Sequence, residues 1–73
     1  MNKDIRYLKR SDWIRFIERN ESITGPYETE EIVVFTSYIY APDGKISGWN
    51  VANRGYPVEV KDIVKVIEVR SRQ

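Results

Sequence analysis

Cysteine and histidine are both missing from this chain of 73 residues. Without cysteine there is neither a disulfide framework nor a thiolate metal site, and without histidine the commonest zinc ligand and the usual proton shuttle near neutral pH are gone as well. A cysteine-free composition favours a cytoplasmic setting. Long apolar runs are missing too: nothing approaches the ~20 residues of a membrane-spanning helix. The opening Met1-Asn2-Lys3-Asp4-Ile5-Arg6 is charged and lacks the apolar centre of a signal peptide, so neither export nor membrane insertion is expected. An excess of one charge sign is also lacking. The formal net charge is +1, which makes no general case for nucleic acid. The distribution is nevertheless uneven. Lys3, Arg6, Lys9 and Arg10 dominate the start, Glu21, Glu28, Glu30 and Glu31 the middle, and Lys61, Lys65, Arg70 and Arg72 the end.

At this length two independent cores are excluded, so residues 1–73 are expected to form one domain, as a monomer or a homodimer. Folding must offset roughly 1.5 kcal/mol of conformational entropy per ordered residue, and in a chain this short apolar burial only just does so. Two Trp, five Tyr and two Phe, with many Val and Ile, supply enough apolar surface for a core, although 32% of the residues are charged.

Residues 30–41, Glu-Glu-Ile-Val-Val-Phe-Thr-Ser-Tyr-Ile-Tyr-Ala, pack β-branched and aromatic side chains into one run and predict a long strand. Pro42-Asp43-Gly44-Lys45 is a turn by mechanism: Pro fixes φ, and Gly accepts positive φ. Ile46 to Val51 is the expected hairpin partner. Asn53-Arg54-Gly55 signals another turn, Tyr56 to Val60 a short strand, Lys61-Asp62-Ile63 one tight helical turn, and Val64 to Val69 a last strand apolar on much of both faces. Asn2 to Arg10 suggests a short leading helix. Ser11 to Arg19 fits two templates. As a helix, Trp13, Ile14, Phe16 and Ile17 share an arc behind a Ser11 cap. As a strand, the segment would turn at Arg19-Asn20-Glu21 and pair back through Ser22-Ile23-Thr24-Gly25. The strand is preferred, because a helix would leave Ser22 to Tyr27 as an orphan, whereas a hairpin gives consecutive antiparallel strands that can close.

The expectation is therefore a mostly β protein: a small five-stranded antiparallel SH3-like or Sm-like barrel with a one-turn helix before its last strand. Trp13-Ile-Arg-Phe-Ile17, a turn, and Ile23-Thr-Gly25, together with the close Val58-Glu-Val60-Lys-Asp62-Ile63-Val-Lys-Val66-Ile-Glu-Val69, resemble the bacterial Rho-inhibitor (Rof-like) family and its Sm-like relatives. The resemblance covers about half of the chain and implies the barrel fold alone; no functional residue is carried over from it.

Chemistry-bearing patterns are sparse. Gly25, Gly44, Gly48 and Gly55 form no phosphate-cradling loop and read as turn or bulge residues. Five serines have no histidine to activate them, and the Glu28, Glu30, Glu31 cluster reads as a solvated acidic loop, so no catalytic residue, metal site or cofactor is expected and the chain is taken as a non-enzyme. Tyr38 and Tyr40, two apart on the long strand, and Trp49 on its partner could form one aromatic surface, with Lys45 and Arg54 placed to hold phosphates. These five are the candidate binding residues. A chain this short needs most of its large side chains inside, which weighs towards core for the rings. If the first and last segments lie side by side, Arg6, Lys9, Arg10, Lys65, Arg70 and Arg72 would form one basic patch. The function expected is a small binding or regulatory module with a protein partner, favoured by near-neutral charge and an open sheet edge; the alternative is a barrel that binds single-stranded RNA or DNA. A small phage or mobile-element protein would have this composition.

Overall fold

A computed structural model of the chain describes residues 7–71. Five antiparallel strands run β1 (Trp13–Asn20), β2 (Tyr27–Tyr40), β3 (Ile46–Val51), β4 (Val58–Glu59) and β5 (Ile63–Arg70), with the 3-10 turn Val60–Asp62 leading into the last. They form one sheet in the order β4-β3-β2-β1-β5. β4 and β5 lie at opposite ends of that order yet are joined by three residues, which span at most about 11 Å. The sheet must therefore curl strongly. It stays open, since no β4–β5 ladder exists among the described residues, and the expected closure into a barrel is not seen. No helix among the described residues is long and apolar enough to cross a membrane.

The strand reading of Trp13 to Arg19 holds because alternation at period two buries Ile14, Phe16 and Glu18 while Trp13 and Arg19 face out. Its partner differs from expectation. Ser22 to Gly25 is the turn, closed by Gly25 N–H to Ser22 O (3.0 Å) and Ser22 N–H to Gly25 O (3.2 Å), and β1 continues through Arg19 and Asn20 to pair with Tyr27 to Val34. Gly25, at φ +121°, takes the conformation that a side chain would oppose. The proposed leading helix falls largely on residues outside those described; Leu8 and Lys9 are not helical, and Arg10-Ser11 form a turn. In that turn Asp12 N–H bonds Lys9 O, and the buried Asp12 carboxylate accepts the Lys9 N–H, holding Ser11 at φ 78°.

Register shifts shape the sheet. Thr36 is an extra residue on β2 between Phe35 and Ser37, so Phe35 and Tyr38 both face the core although three residues apart. A second shift leaves Ser47 as an extra residue on β3, opposite the step from Ile39 to Tyr40. On β5 the extra residues are Ile67 and Val64, which explains why that strand looks apolar on both faces in the sequence. The concave side holds Leu8, Ile14, Phe16, Val33, Phe35, Trp49, Val58 and Val66. Trp49 is the centre: Phe16 meets it edge-to-face at 5.6 Å and Phe35 at 6.4 Å. Gly48 precedes it because β4 passes so close that a Cβ would run into the Val58 carbonyl oxygen.

Candidate binding surface

The convex side of β2, β1 and β5 carries what the core leaves out. On β1 the outward residues are Trp13, Arg15 and Ile17; they lie opposite Val34, Ile32 and Glu30 of β2 and opposite Arg70, Glu68 and Lys65 of β5. Between them is an apolar groove of about 420 Å³ lined by Trp13, Ile14, Arg15, Ile32, Glu68 and Arg70. Trp13 remains 38% exposed and Ile32 51%, unusual for large apolar side chains side by side on a sheet. Charges border the groove. Arg15 reaches Glu30 at 3.0 Å and Glu68 at 3.6 Å, and Arg70 bonds Glu68 at 2.9 Å. The Arg70 hydrogen bond and charge, helped by Arg15, hold the Glu68 carboxyl below the usual carboxylate range. Antiparallel pairing of Trp13 with Arg70 sets the end of β5 beside the start of β1. Among the described residues the side chains of Lys9 and Arg10 have no acidic partner.

The five residues singled out from sequence separate. Trp49 is 0% exposed, at the centre of the core. Tyr38 packs edge-to-face on Phe35 at 4.8 Å, and its hydroxyl accepts the Leu8 N–H at 2.7 Å. Tyr40 is exposed, 6.2 Å from the Tyr38 ring, and Lys45 is exposed at the adjacent turn, so these three stay together. Arg54 does not join them. It leaves the β3–β4 loop for Glu18 on β1, donating from Nη1 to Oε1 at 2.9 Å and from Nη2 to Oε2 at 2.8 Å. Its Nε–H bonds Tyr56 O at 3.1 Å, Nη2 bonds Pro57 O at 3.2 Å, and the guanidinium lies 4.0 Å from the Tyr56 ring centre. Only 11% of the Arg54 side chain and 7% of that of Glu18 remain exposed. Hydrogen bonding to the Glu18 carboxylate raises the Arg54 pKa above its already high value, against the opposing effect of burial. Arg54 is thus the clamp that ties residues 52–57 to β1. Asn53 does the same beside it: its amide accepts Val34 N–H and donates to Ile32 O, standing in for a strand where β3 has ended.

Sequence reasoning assigned Trp13 to the barrel without a site and passed over Ile32. The available signal was that both occupy the phase of their strands opposite to the core residues Ile14, Phe16 and Val33. Among the described residues no acidic cluster is arranged to hold a metal ion. The chain matches no family model, no curated protein and no solved structure.

Proposed function

We propose that the chain is a small, non-enzymatic binding module that associates with a protein partner through the Trp13–Ile32 groove. The observation that carries this is the placement of a large aromatic and a β-branched side chain on the convex face, where they contribute nothing to the core and are bordered by Arg15, Glu30, Glu68 and Arg70. An apolar centre with a polar rim is the anatomy of a protein-binding patch. The ladder order and the 3-10 turn leading into β5 support reading the curled sheet as an SH3-like or Sm-like architecture, which is also what the Rho-inhibitor resemblance implies. The cysteine-free composition supports a cytoplasmic setting.

The test is selection of a displayed library of random peptides on the native protein, with the Trp13→Ala variant as background. Enriched peptides should shift the amides of Trp13, Ile32 and Arg70. Equal enrichment on both proteins would remove the groove from consideration. The single-stranded nucleic-acid reading keeps one favourable observation, the exposed Tyr40 beside Lys45. It requires localised amide shifts at those two residues that fade steeply with salt.

A further inference from the structure

The long strand β2 is paired on both edges only in part. β1 follows one edge from Tyr27 to Val34, and β3 follows the other from Phe35 to Tyr40. The pleat decides which backbone groups face which way. Phe35 N–H donates to Asp12 O and Phe35 O accepts Ser11 N–H, both at 2.8 Å, so the odd-numbered residues from Tyr27 to Phe35 point at β1 and the even-numbered ones point away. On that far edge the chain after β3 serves Val34 and Ile32. Ala52 N–H reaches Val34 O at 2.9 Å, and the Asn53 amide accepts Val34 N–H at 3.1 Å and donates to Ile32 O at 3.0 Å, the bonds a neighbouring strand would make. The imitation stops there. Glu30 and Glu28 come next on the same edge, and among the described residues their backbone N–H and C=O groups have no hydrogen-bond partner. A row of this kind is a template for another strand, and folds blunt it with very short strands or with bulges. The outermost strands are blunted in both ways: β4 has two residues, and β5 carries the extra residues Val64 and Ile67. The β2 edge has neither device, since its register against β1 is unbroken from Tyr27 to Val34.

We propose that the far edge of β2, residues 27–31, takes an extended segment of a protein partner as an added strand, in line with β3 and with a lysine or arginine opposite Glu28. The pairing geometry fixes both features. Glu30 and Glu28 offer donor and acceptor groups about 7 Å apart, a spacing that an extended backbone matches residue for residue. The two partner residues that exchange hydrogen bonds with them carry their side chains on the same convex face as the two carboxylates. There Glu30 is already bonded to Arg15, whereas the exposed Glu28 faces Arg19 across β1 without an ion pair among the described residues. A cation on the added strand would be the direct neighbour of Glu28. None of residues 27–31 lines the Trp13–Ile32 groove, so the two surfaces act independently.

Amide hydrogen exchange and an NMR titration decide it. In the free protein the Glu28 and Glu30 amides should exchange at nearly unprotected rates, while those of Thr29 and Glu31, bonded to β1, should exchange at least about a hundredfold more slowly. The probe is a seven-residue synthetic peptide of alternating Lys and Val, taken to millimolar concentration, beside an analogue N-methylated at its lysines. The peptide should shift the amides of Glu28 and Glu30; the analogue, which lacks the pairing N–H groups, should not. Glu28→Pro removes one outward N–H and leaves the β1 ladder whole, because proline is tolerated where a strand N–H faces solvent, and it should weaken binding at least about tenfold. Glu28→Gln should weaken it about twofold, an effect that added salt removes. Trp13→Ala should leave it unchanged. If Glu28→Pro loses its native amide spectrum, the N-methylated analogue carries the decision. Protected Glu28 and Glu30 amides in the free protein, no binding at millimolar peptide, equal binding of the analogue, or shifts confined to Trp13 and Ile32 would each overturn the proposal.

Discussion

Replacing Arg54 by Ala should cost about 3 kcal/mol of stability, near the lower end of what breaking a buried ion pair costs. The cost is large because the substitution leaves Glu18 behind: its carboxylate, 7% exposed, would lose both guanidinium hydrogen bonds and keep its charge out of water. The Tyr56 and Pro57 carbonyls would lose their donors, and the loop 52–57 its tie to β1. A domain of this length has about 4–11 kcal/mol of total stability at ~0.05–0.15 kcal/mol per residue, so the loss is a quarter or more of the total and the variant stays folded in the absence of denaturant. Arg54→Lys should recover part of the loss, since an ammonium keeps the charge but cannot fill the fork on Glu18 and reach two carbonyls as well. Glu18→Gln combined with Arg54→Met should be less damaging than Arg54→Ala alone, because no charge is stranded. Urea titration followed by Trp fluorescence gives the three values, provided the slope with denaturant is unchanged. A loss below about 0.5 kcal/mol for Arg54→Ala is what an exposed pair gives, and it would refute the clamp and return Arg54 to the pool of surface cations.

Ser11→Gly should raise stability by about 0.5 kcal/mol, since relief of the positive φ outweighs the extra freedom of glycine in the unfolded chain; thermal unfolding should shift up by about 2–4 °C, and a decrease would show that Ser11 is not strained. Gly48→Ala should cost about 2–3 kcal/mol because β4 must move away from the new Cβ, and unaltered stability would mean the strands separate freely there. Trp49→Ala should cost about 3–5 kcal/mol, while Tyr40→Ala stays within about 0.5 kcal/mol; similar small effects from both would contradict a Trp49-centred core. The Glu68 carboxyl should titrate below the ordinary Glu value, about 4.3, in carbon-detected NMR, and Arg70→Gln should move it back up. Its depressed native pKa means that the Glu68 contribution is complete above that ordinary value and disappears as pH falls through the lowered one, so a normal titration would refute the rim pairing.

Local signals placed the elements well where they had a mechanism. The Pro42-Asp43-Gly44-Lys45 turn forms with Gly44 at φ +87° and its N–H on Ala41 O, and Ile46–Val51 returns beside β2. The first hairpin shows the limit. Arg19-Asn20-Glu21 is polar enough to suggest a turn, but cross-strand pairs with Glu28 and Tyr27 keep Arg19 and Asn20 in β1, and the positive φ needed to reverse the chain is available only at Gly25. The binding residues were less legible for a different reason. Alternation puts Tyr38 and Tyr40 on one face, their rings 6.2 Å apart, but it does not say where along the strand the core ends: Tyr38 packs on Phe35, while Tyr40, nearer the hairpin end, is exposed. Arg54 could not be assigned from sequence, because its partner Glu18 lies 36 positions away and presents itself in the sequence as a polar residue in an amphipathic strand.

Glu18 also shows how the molecule divides its two tasks. It occupies the third inward position of β1, after Ile14 and Phe16, where an apolar residue would add to a core that is barely large enough. A charge there is tolerable only because Arg54 answers it, and the same bond fixes the loop that precedes β4, so the concave side carries both the apolar packing and the one buried ion-pair clamp described. The convex side holds Trp13 and Ile32, and the β1–β2 turn holds Ile23; all three are large apolar side chains withheld from that core. Moving any of them inwards would strengthen the fold, since roughly 1.5–3 kcal/mol accompanies full burial of such a side chain. Under the proposed binding role, the exposure of Trp13 and Ile32 is a cost to folding that a partner on the convex face would offset, and because core and clamp lie on the other side of the sheet, changes at Ile32 should weaken that binding while leaving the fold intact.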